Sequence, residues 1–203
     1  MATLSNCSTD DLSFEFSYSG FEEGWIKYEF FFRWRGDNII NDKILEEGGD
    51  YWGNRTEGSF LANEYEVDGL TRLLKEVLEK NQADYWEPVE PDILVAIYPD
   101  QFFPFLPSHY RLIHESDEHK TKYEAREKLK KEQGNQPDDL FTFIVFVDAY
   151  NLKHAVMYYG SGLSLQMLVS REKLEAFLYN LETEYQAFKE KFRVDEWQEN
   201  GDC

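Results

Sequence analysis

The first part of the chain alternates between apolar and polar side chains over two stretches. In residues 12–19 every second side chain is apolar, and residues 25–35 repeat the pattern with a fully apolar face. A period of two predicts half-buried β-strands. Residues 20–24, bounded by glycines, predict the turn between them. A further turn at 36–38 and a strand over 38–45 would complete an antiparallel meander.

Two later stretches have the spacing of amphipathic helices. After Asp68, a residue type suited to cap a helix, leucine and valine recur at steps of three and four as far as residue 78. A longer helix is predicted to begin after Ser170, with one apolar stripe on Leu174, Phe177, Leu178, Leu181, Tyr185, Phe188 and Phe192. Short strands are expected at 59–66, 93–98, 140–147, 154–159 and 163–169.

This order of elements predicts an α+β fold. We expect a mostly antiparallel sheet of about six or seven strands, with the two amphipathic helices packed on one face. Residues 115–135 are helix-compatible but polar nearly all round, which indicates a charged helical arm inserted into the domain. The organisation expected is a flexible N-terminus at 1–11, a single domain at 12–192 and an acidic C-terminal tail at 193–203.

The charge of the chain excludes several classes of partner. Its 203 residues hold 40 Asp and Glu against 21 Lys and Arg, a net charge of −19. Such a chain repels phosphates, so we expect no nucleic acid and no membrane among its partners. Aromatic residues make up 17%, too many for a mainly disordered acidic chain. Residues 1–110 carry −14 of the total, so the charge belongs to the body of the protein.

The compartment expected from the sequence is the cytoplasm. The two cysteines, Cys7 and Cys203, cannot form a disulfide scaffold, and we expect free thiols. Residues 1–11 show no basic cluster followed by an apolar run, so no signal peptide is predicted. No apolar stretch approaches the roughly 20 residues that cross a bilayer.

Motifs for catalysis and metal binding are weak. His109, His114 and His119 are spaced by five, which places them on different faces of a helix, and no metal or cofactor is expected. The Ser-x-x-Lys pattern of Ser170 and Lys173 resembles that of penicillin-binding enzymes but lacks its companion motifs. A serine at a helix start is better explained as a cap. We therefore assign no catalytic residue.

A repeated tripeptide is the strongest candidate for a binding site. It occurs in two stretches that the pattern indicates as loops, and its residues are Asp50, Tyr51, Trp52, Asp84, Tyr85 and Trp86. Tyrosine and tryptophan on loops are enriched among interface hot spots. Neighbouring glutamates would suit a basic protein partner. The alternative is that these aromatic side chains fold back and cap the ends of the sheet.

These features favour a non-enzymatic acidic protein-binding domain that covers a basic partner surface. The small, acidic, motif-free α+β layout resembles that of many bacterial immunity proteins and inhibitors, a resemblance that transfers no residues. Two alternatives stay open. One is an enzyme with a site near the 148–161 hairpin, and the other is a structural or oligomerisation domain. The enzyme would use Asp148, His154, Tyr158 and Ser161.

Overall fold

The structure, a computed structural model, describes residues 1–7, 9–39, 57–61, 69–88, 93–99, 140–148 and 162–194. These residues form an α+β fold with two antiparallel sheets and two helices. The elements are β1 (Ala2–Ser5), β2 (Leu12–Glu22), β3 (Trp25–Trp34), β4 (Asp37–Asn38), β5 (Glu57–Leu61), α1 (Gly69–Lys80), β6 (Asp84–Trp86), β7 (Ile93–Pro99), β8 (Leu140–Asp148), β9 (Gly162–Ser170) and α2 (Arg171–Phe192). The prediction of one sheet with six or seven strands is corrected, because the nine described strands divide between two sheets.

The first sheet has the order β1-β2-β3, and both β4 and β5 pair with the edge of β3 that faces away from β2. β5 pairs with the N-terminal half of β3 and β4 with its C-terminal end. The turn predicted at 20–24 is shorter than expected, because β2 continues to Glu22 and only Glu23 and Gly24 connect it to β3. Both residues have positive φ, 49° and 84°, as a two-residue hairpin of type I′ requires. Gly20 lies within β2, where the register shifts at a bulge.

The second sheet has the order β6-β7-β8-β9 and is buried on both faces at its centre. Successive residues of a strand point to opposite faces, and along β8 both Phe143 and Ile144 are fully buried. Burial on two sides explains why residues 140–147 are apolar almost without interruption.

The N-terminal residues are part of the fold, which corrects the expectation of a flexible segment at 1–11. β1 pairs with β2, and Ala2 and Leu4 are buried. Beyond β1, the Cys7 N–H donates to the Leu168 carbonyl of β9 at 2.7 Å, and the Leu168 N–H donates to Asn6 Oδ1 at 3.1 Å. Residues 6 and 7 thus bond the edge of the second sheet to the first.

Both predicted helices are present. Five residues of the predicted apolar stripe of α2 are buried: Leu174, Phe177, Leu181, Tyr185 and Phe188. Leu178 and Phe192 of the same stripe are partly buried and pack against the core. Beyond α2, Arg193 takes a left-handed conformation (φ 53°) and turns Val194 into the core, where it is fully buried. Val194 therefore still belongs to the domain, and the rest of the predicted C-terminal tail, 195–203, lies outside the described residues.

The two helices lie against each other. At the start of α2 the Arg171 guanidinium donates to the Leu78 carbonyl in the last turn of α1 at 3.0 Å. Lys75 and Glu182 form an ion pair between the helices at 2.6 Å. α1 also contacts β6 and β7, and α2 contacts β1, β2 and β9.

Three aromatic rings join the two sheets and α2. Phe14 of β2 lies 5.4 Å from Phe143 of β8 and 6.1 Å from Phe177 of α2, measured between ring centroids, and Phe143 and Phe177 are 6.3 Å apart. All three side chains are buried, so a single hydrophobic core spans both sheets.

Several predicted segments lie outside the described residues. These are the arm at 115–135, the strand at 154–159, the cap at Asp68 and most of the strand at 38–45. Neither helix in the described part of the chain is long and apolar enough to cross a membrane.

Candidate functional site

A surface pocket of about 510 Å³ lies between α1 and β6, and we call it the α1–β6 groove. From α1 it is lined by Gly69, Arg72, Leu73 and Glu76. From β6 and the residue after it come Asp84, Tyr85, Trp86 and Glu87. Arg72 and Glu76 are four positions apart and therefore share one face of the helix. The short connection at 81–83 brings that face beside β6.

Trp86 forms the floor of the groove and belongs to the core. Its side chain is only 6% exposed, and its ring centroid lies 6.2–6.5 Å from those of Phe16, Tyr28 and Phe60. α1 passes close over the indole at Gly69, where a Cβ would lie 2.0 Å from Trp86 Nε1. Only glycine permits this approach.

Burial of Trp86 corrects one sequence-based expectation. The second tripeptide is a strand paired with β7 and not a loop. Because side chains alternate along a strand, Trp86 points inward while its neighbour Tyr85 points outward. The alternative interpretation, that the aromatic side chain folds back onto the sheet, describes Trp86 but not Tyr85.

Tyr85 and Asp84 form the outer rim of the groove. Tyr85 is 62% exposed, one of the most exposed large apolar side chains in the described part of the chain. Asp84 is also exposed, and its Oδ1 accepts a hydrogen bond from the Tyr85 N–H at 2.9 Å. Two groups that attract cations, an exposed aromatic ring and a carboxylate, thus belong to neighbouring residues of the rim.

The ionic groups of the groove are mainly acidic. Carboxylates of Glu76, Asp84 and Glu87 line it together with the guanidinium of Arg72. Glu76 is paired with Lys80 at 2.7 Å, and the hydrogen bond and charge of Lys80 lower the pKa of that carboxyl. The same contact raises the pKa of Lys80, with a smaller contribution from the charge of Asp84. Negative charge is thus concentrated on the β6 side.

The other sequence-predicted positions lie elsewhere. Asp50, Tyr51 and Trp52 are outside the described residues, as are His154, Tyr158 and Ser161. The backbone of Asp148 ends β8 and pairs with Gly162 of β9, and its side chain is outside the described part. The structure therefore brings together Asp84, Tyr85 and Trp86 at the groove, with Trp86 buried, and the tripeptide at 50–52 lies outside the described residues.

Residues of α1 complete the groove, and no sequence pattern predicted them as site residues. Arg72, Leu73 and Glu76 carry no motif, and in the sequence they read only as the ordinary polar and apolar faces of an amphipathic helix. The signal that could have found them is the short connection from α1 to the tripeptide, which limits how far apart the two elements can lie.

The Ser-x-x-Lys pattern is confirmed as a helix cap. Ser170 Oγ accepts a hydrogen bond from the Lys173 backbone N–H at 3.3 Å. The Lys173 ammonium donates to Ser5 Oγ, Asn6 O and Asp10 Oδ1 at 2.9–3.0 Å. Its three N–H donors are thereby all in use.

Neither a metal-binding cluster in the described part of the chain nor a match to a known protein helps to define the candidate site. In the described ranges no group of three or more His, Cys, Asp or Glu side chains is placed to hold a metal ion. Searches against models of protein families, characterised proteins and solved structures found no match to this chain.

Proposed function

We propose that this chain is a non-enzymatic acidic protein-binding domain, of the inhibitor or immunity type, that covers a basic surface of its partner through the α1–β6 groove. One observation carries the proposal. Tyr85 stands exposed between Asp84 and a buried Trp86, on the rim of a pocket with three carboxylates. Tyrosine in such a setting gives a large contact area at low cost in side-chain entropy.

The charge of the whole chain supports a basic partner. A net charge of −19 attracts cationic proteins over distances of about a Debye length, about 8 Å at physiological salt. Steering of this kind increases the association rate more than it strengthens the complex. The groove then supplies the local contacts that the overall charge lacks.

The roles of the tripeptide residues differ within this proposal. Asp84 and Tyr85 contact the partner, whereas Trp86 supports the rim from the core. Asp50, Tyr51 and Trp52 are assigned to the same surface on their sequence alone. We expect the encounter in the cytoplasm, a reducing compartment in which Cys7 stays a thiol.

Affinity capture with matched variants tests this function. The groove triple variant, Asp84→Asn with Tyr85→Ala and Glu87→Gln, removes two charges and one exposed tyrosine. The helix triple variant, Glu175→Gln with Tyr179→Ala and Glu190→Gln, makes the same changes on the outer face of α2, where Tyr179 is 69% exposed.

The wild type and the helix triple variant are expected to capture the same basic protein from a cell extract at about 50 mM salt and to release it at about 500 mM. The groove triple variant should lose this capture. Equal loss in both variants would mean that overall charge, not the groove, is responsible. Capture that is insensitive to salt, or absent from the wild type, would contradict the proposed function.

A further inference from the structure

β6 is the terminal strand of the second sheet among the described strands, and the groove runs along it. β6 pairs only with β7 in this part of the chain, through Asp84–Trp86 against Val95–Ile97. Asp84 and Tyr85 of β6, and Glu87 directly after it, are all exposed. An exposed strand edge is a place where another chain can add a strand.

The backbone of Tyr85 shows how this edge is occupied in the isolated protein. Its N–H donates to Asp84 Oδ1 at 2.9 Å. Because the donors of a paired strand alternate between its two edges and this one is taken by a side chain, we infer that it faces the edge away from β7. The Asp84 carboxylate therefore takes the place that the carbonyl of a neighbouring strand would take. Covering an edge donor with a charged side chain protects a sheet from unspecific pairing.

We propose that the α1–β6 groove receives an extended, lysine- or arginine-bearing segment of the partner, which lies alongside β6. This inference rests on the proposed function and specifies what part of the partner enters the site. A carbonyl of the segment accepts from the Tyr85 N–H and displaces Asp84 Oδ1. The released Asp84 carboxylate then pairs with a cationic side chain of the segment.

Size and charge of the groove fit this occupant. A volume of about 510 Å³ lies within the range of about 300–1,000 Å³ that is usual for ligand pockets. Asp84 and Glu87 place two carboxylates on the β6 side, and the exposed ring of Tyr85 offers a face for cation–π contact. Arg72 lies on the α1 side of the groove and would repel a cation there. The cationic side chains of the segment therefore lie on the β6 side.

A defined peptide tests the inference on the full chain. The probe is a fluorescent peptide of about seven residues in which lysine and valine alternate, so that one face is cationic when the peptide is extended. Its comparison peptide has the same length and charge and differs only in a proline in place of a central valine; proline cannot donate to a strand ladder. Fluorescence anisotropy at low salt measures the affinity for each protein variant.

We expect the alternating peptide to bind the wild type and the helix triple variant equally, and the groove triple variant about tenfold more weakly. The proline peptide should bind the wild type clearly more weakly than the alternating one. Asp84→Asn, which keeps an oxygen at Oδ1 but removes the charge, should lose part of the affinity. Equal affinity for both peptides, or equal loss in both triple variants, would overturn the inference.

The result also separates this inference from the proposed function. If the wild type captures a basic protein through the groove but binds the two peptides alike, the segment model is wrong and the binding role stands. If the alternating peptide binds in the groove but no protein is captured, the edge-pairing inference stands and the proposed function is contradicted.

Discussion

Trp86 and Gly69 show at the scale of single residues how closely α1 approaches the sheet. A Cβ at Gly69 would lie 2.0 Å from Trp86 Nε1, far inside van der Waals contact. We expect Gly69→Ala to push the indole from its site and to lower the free energy of unfolding by about 1–3 kcal/mol. Chemical denaturation followed by tryptophan fluorescence measures this loss.

Gly20→Ala is the matched control for that substitution. A Cβ at Gly20 meets only the flexible side chain of Lys27, at 3.5 Å, so we expect a change within about 0.5 kcal/mol. Equal destabilisation by the two substitutions would mean that the contact with Trp86 is not what constrains Gly69.

The different burial of Tyr85 and Trp86 shows how much the sequence could predict about single residues. The repeated tripeptide drew attention to Asp84 and Tyr85, which lie on the rim of the groove. It gave no means to separate Tyr85 from Trp86, because both residue types are common at interfaces and in cores. Only the strand conformation, with its alternating faces, decides that one ring is exposed and the other buried.

The N-cap at Ser170 stabilises α2 as a whole element. Ser170 Oγ accepts from the Lys173 N–H, one of the four N–H groups that a helix start leaves unpaired. We expect Ser170→Ala to lower the free energy of unfolding by about 1 kcal/mol and Ser170→Asp to restore most of it. Thermal or chemical unfolding of the three proteins measures the difference.

Thr183→Ala provides the control within the same helix. Thr183 is exposed and its hydroxyl donates to the Tyr179 carbonyl one turn earlier, a bond that contributes little to helix stability. If Thr183→Ala lowered the free energy of unfolding as much as Ser170→Ala, the loss could not be assigned to the N-cap.

Length decides which elements the sequence predicts well. β2, β3 and α2 contain ten or more residues, so their periods of two and of three to four are unambiguous. β1 and β6 contain four and three residues, too few for a period to stand out from their polar neighbours. They form strands because β2 and β7 offer edges to pair with, which is information from outside the segment.

The packing of the two sheets into one core involves the whole molecule, and the local sequence pattern could not predict it. Phe14, Phe143 and Phe177 come from distant parts of the chain and meet in one core. We expect Phe14→Ala to destabilise the protein by about 3–5 kcal/mol, since it leaves a cavity where the two sheets and α2 join. Phe31→Ala, on the partly exposed opposite face of the first sheet, should cost clearly less in the same denaturation experiment.

The contact of Lys173 with Asp10 predicts how stability depends on pH. The hydrogen bond and charge of Lys173 lower the pKa of the Asp10 carboxyl from its ordinary value of 3.8. A lowered pKa in the folded state means that the stabilisation is present above pH 3.8 and is lost as the pH falls through the folded-state pKa. The difference in unfolding free energy between wild type and Asp10→Asn should therefore close in strong acid.

A double-mutant cycle with Lys173→Gln checks the cause of that pH dependence. In the Lys173→Gln background, the effect of Asp10→Asn should depend much less on pH, because only the smaller contribution of the Ser5 hydrogen bond to the lowered pKa of Asp10 remains. A pH-dependent difference that is undiminished without Lys173 would assign the effect to another group.

Amide hydrogen exchange of the chain alone and in complex with its captured partner tests the proposed binding surface most directly. We predict slower exchange in the complex at Asp84–Glu87 and at the facing residues Arg72–Glu76, with no change along the outer face of α2 around Tyr179. Protection confined to α2, or unchanged exchange in β6, would contradict the assignment of the α1–β6 groove as the partner-binding site.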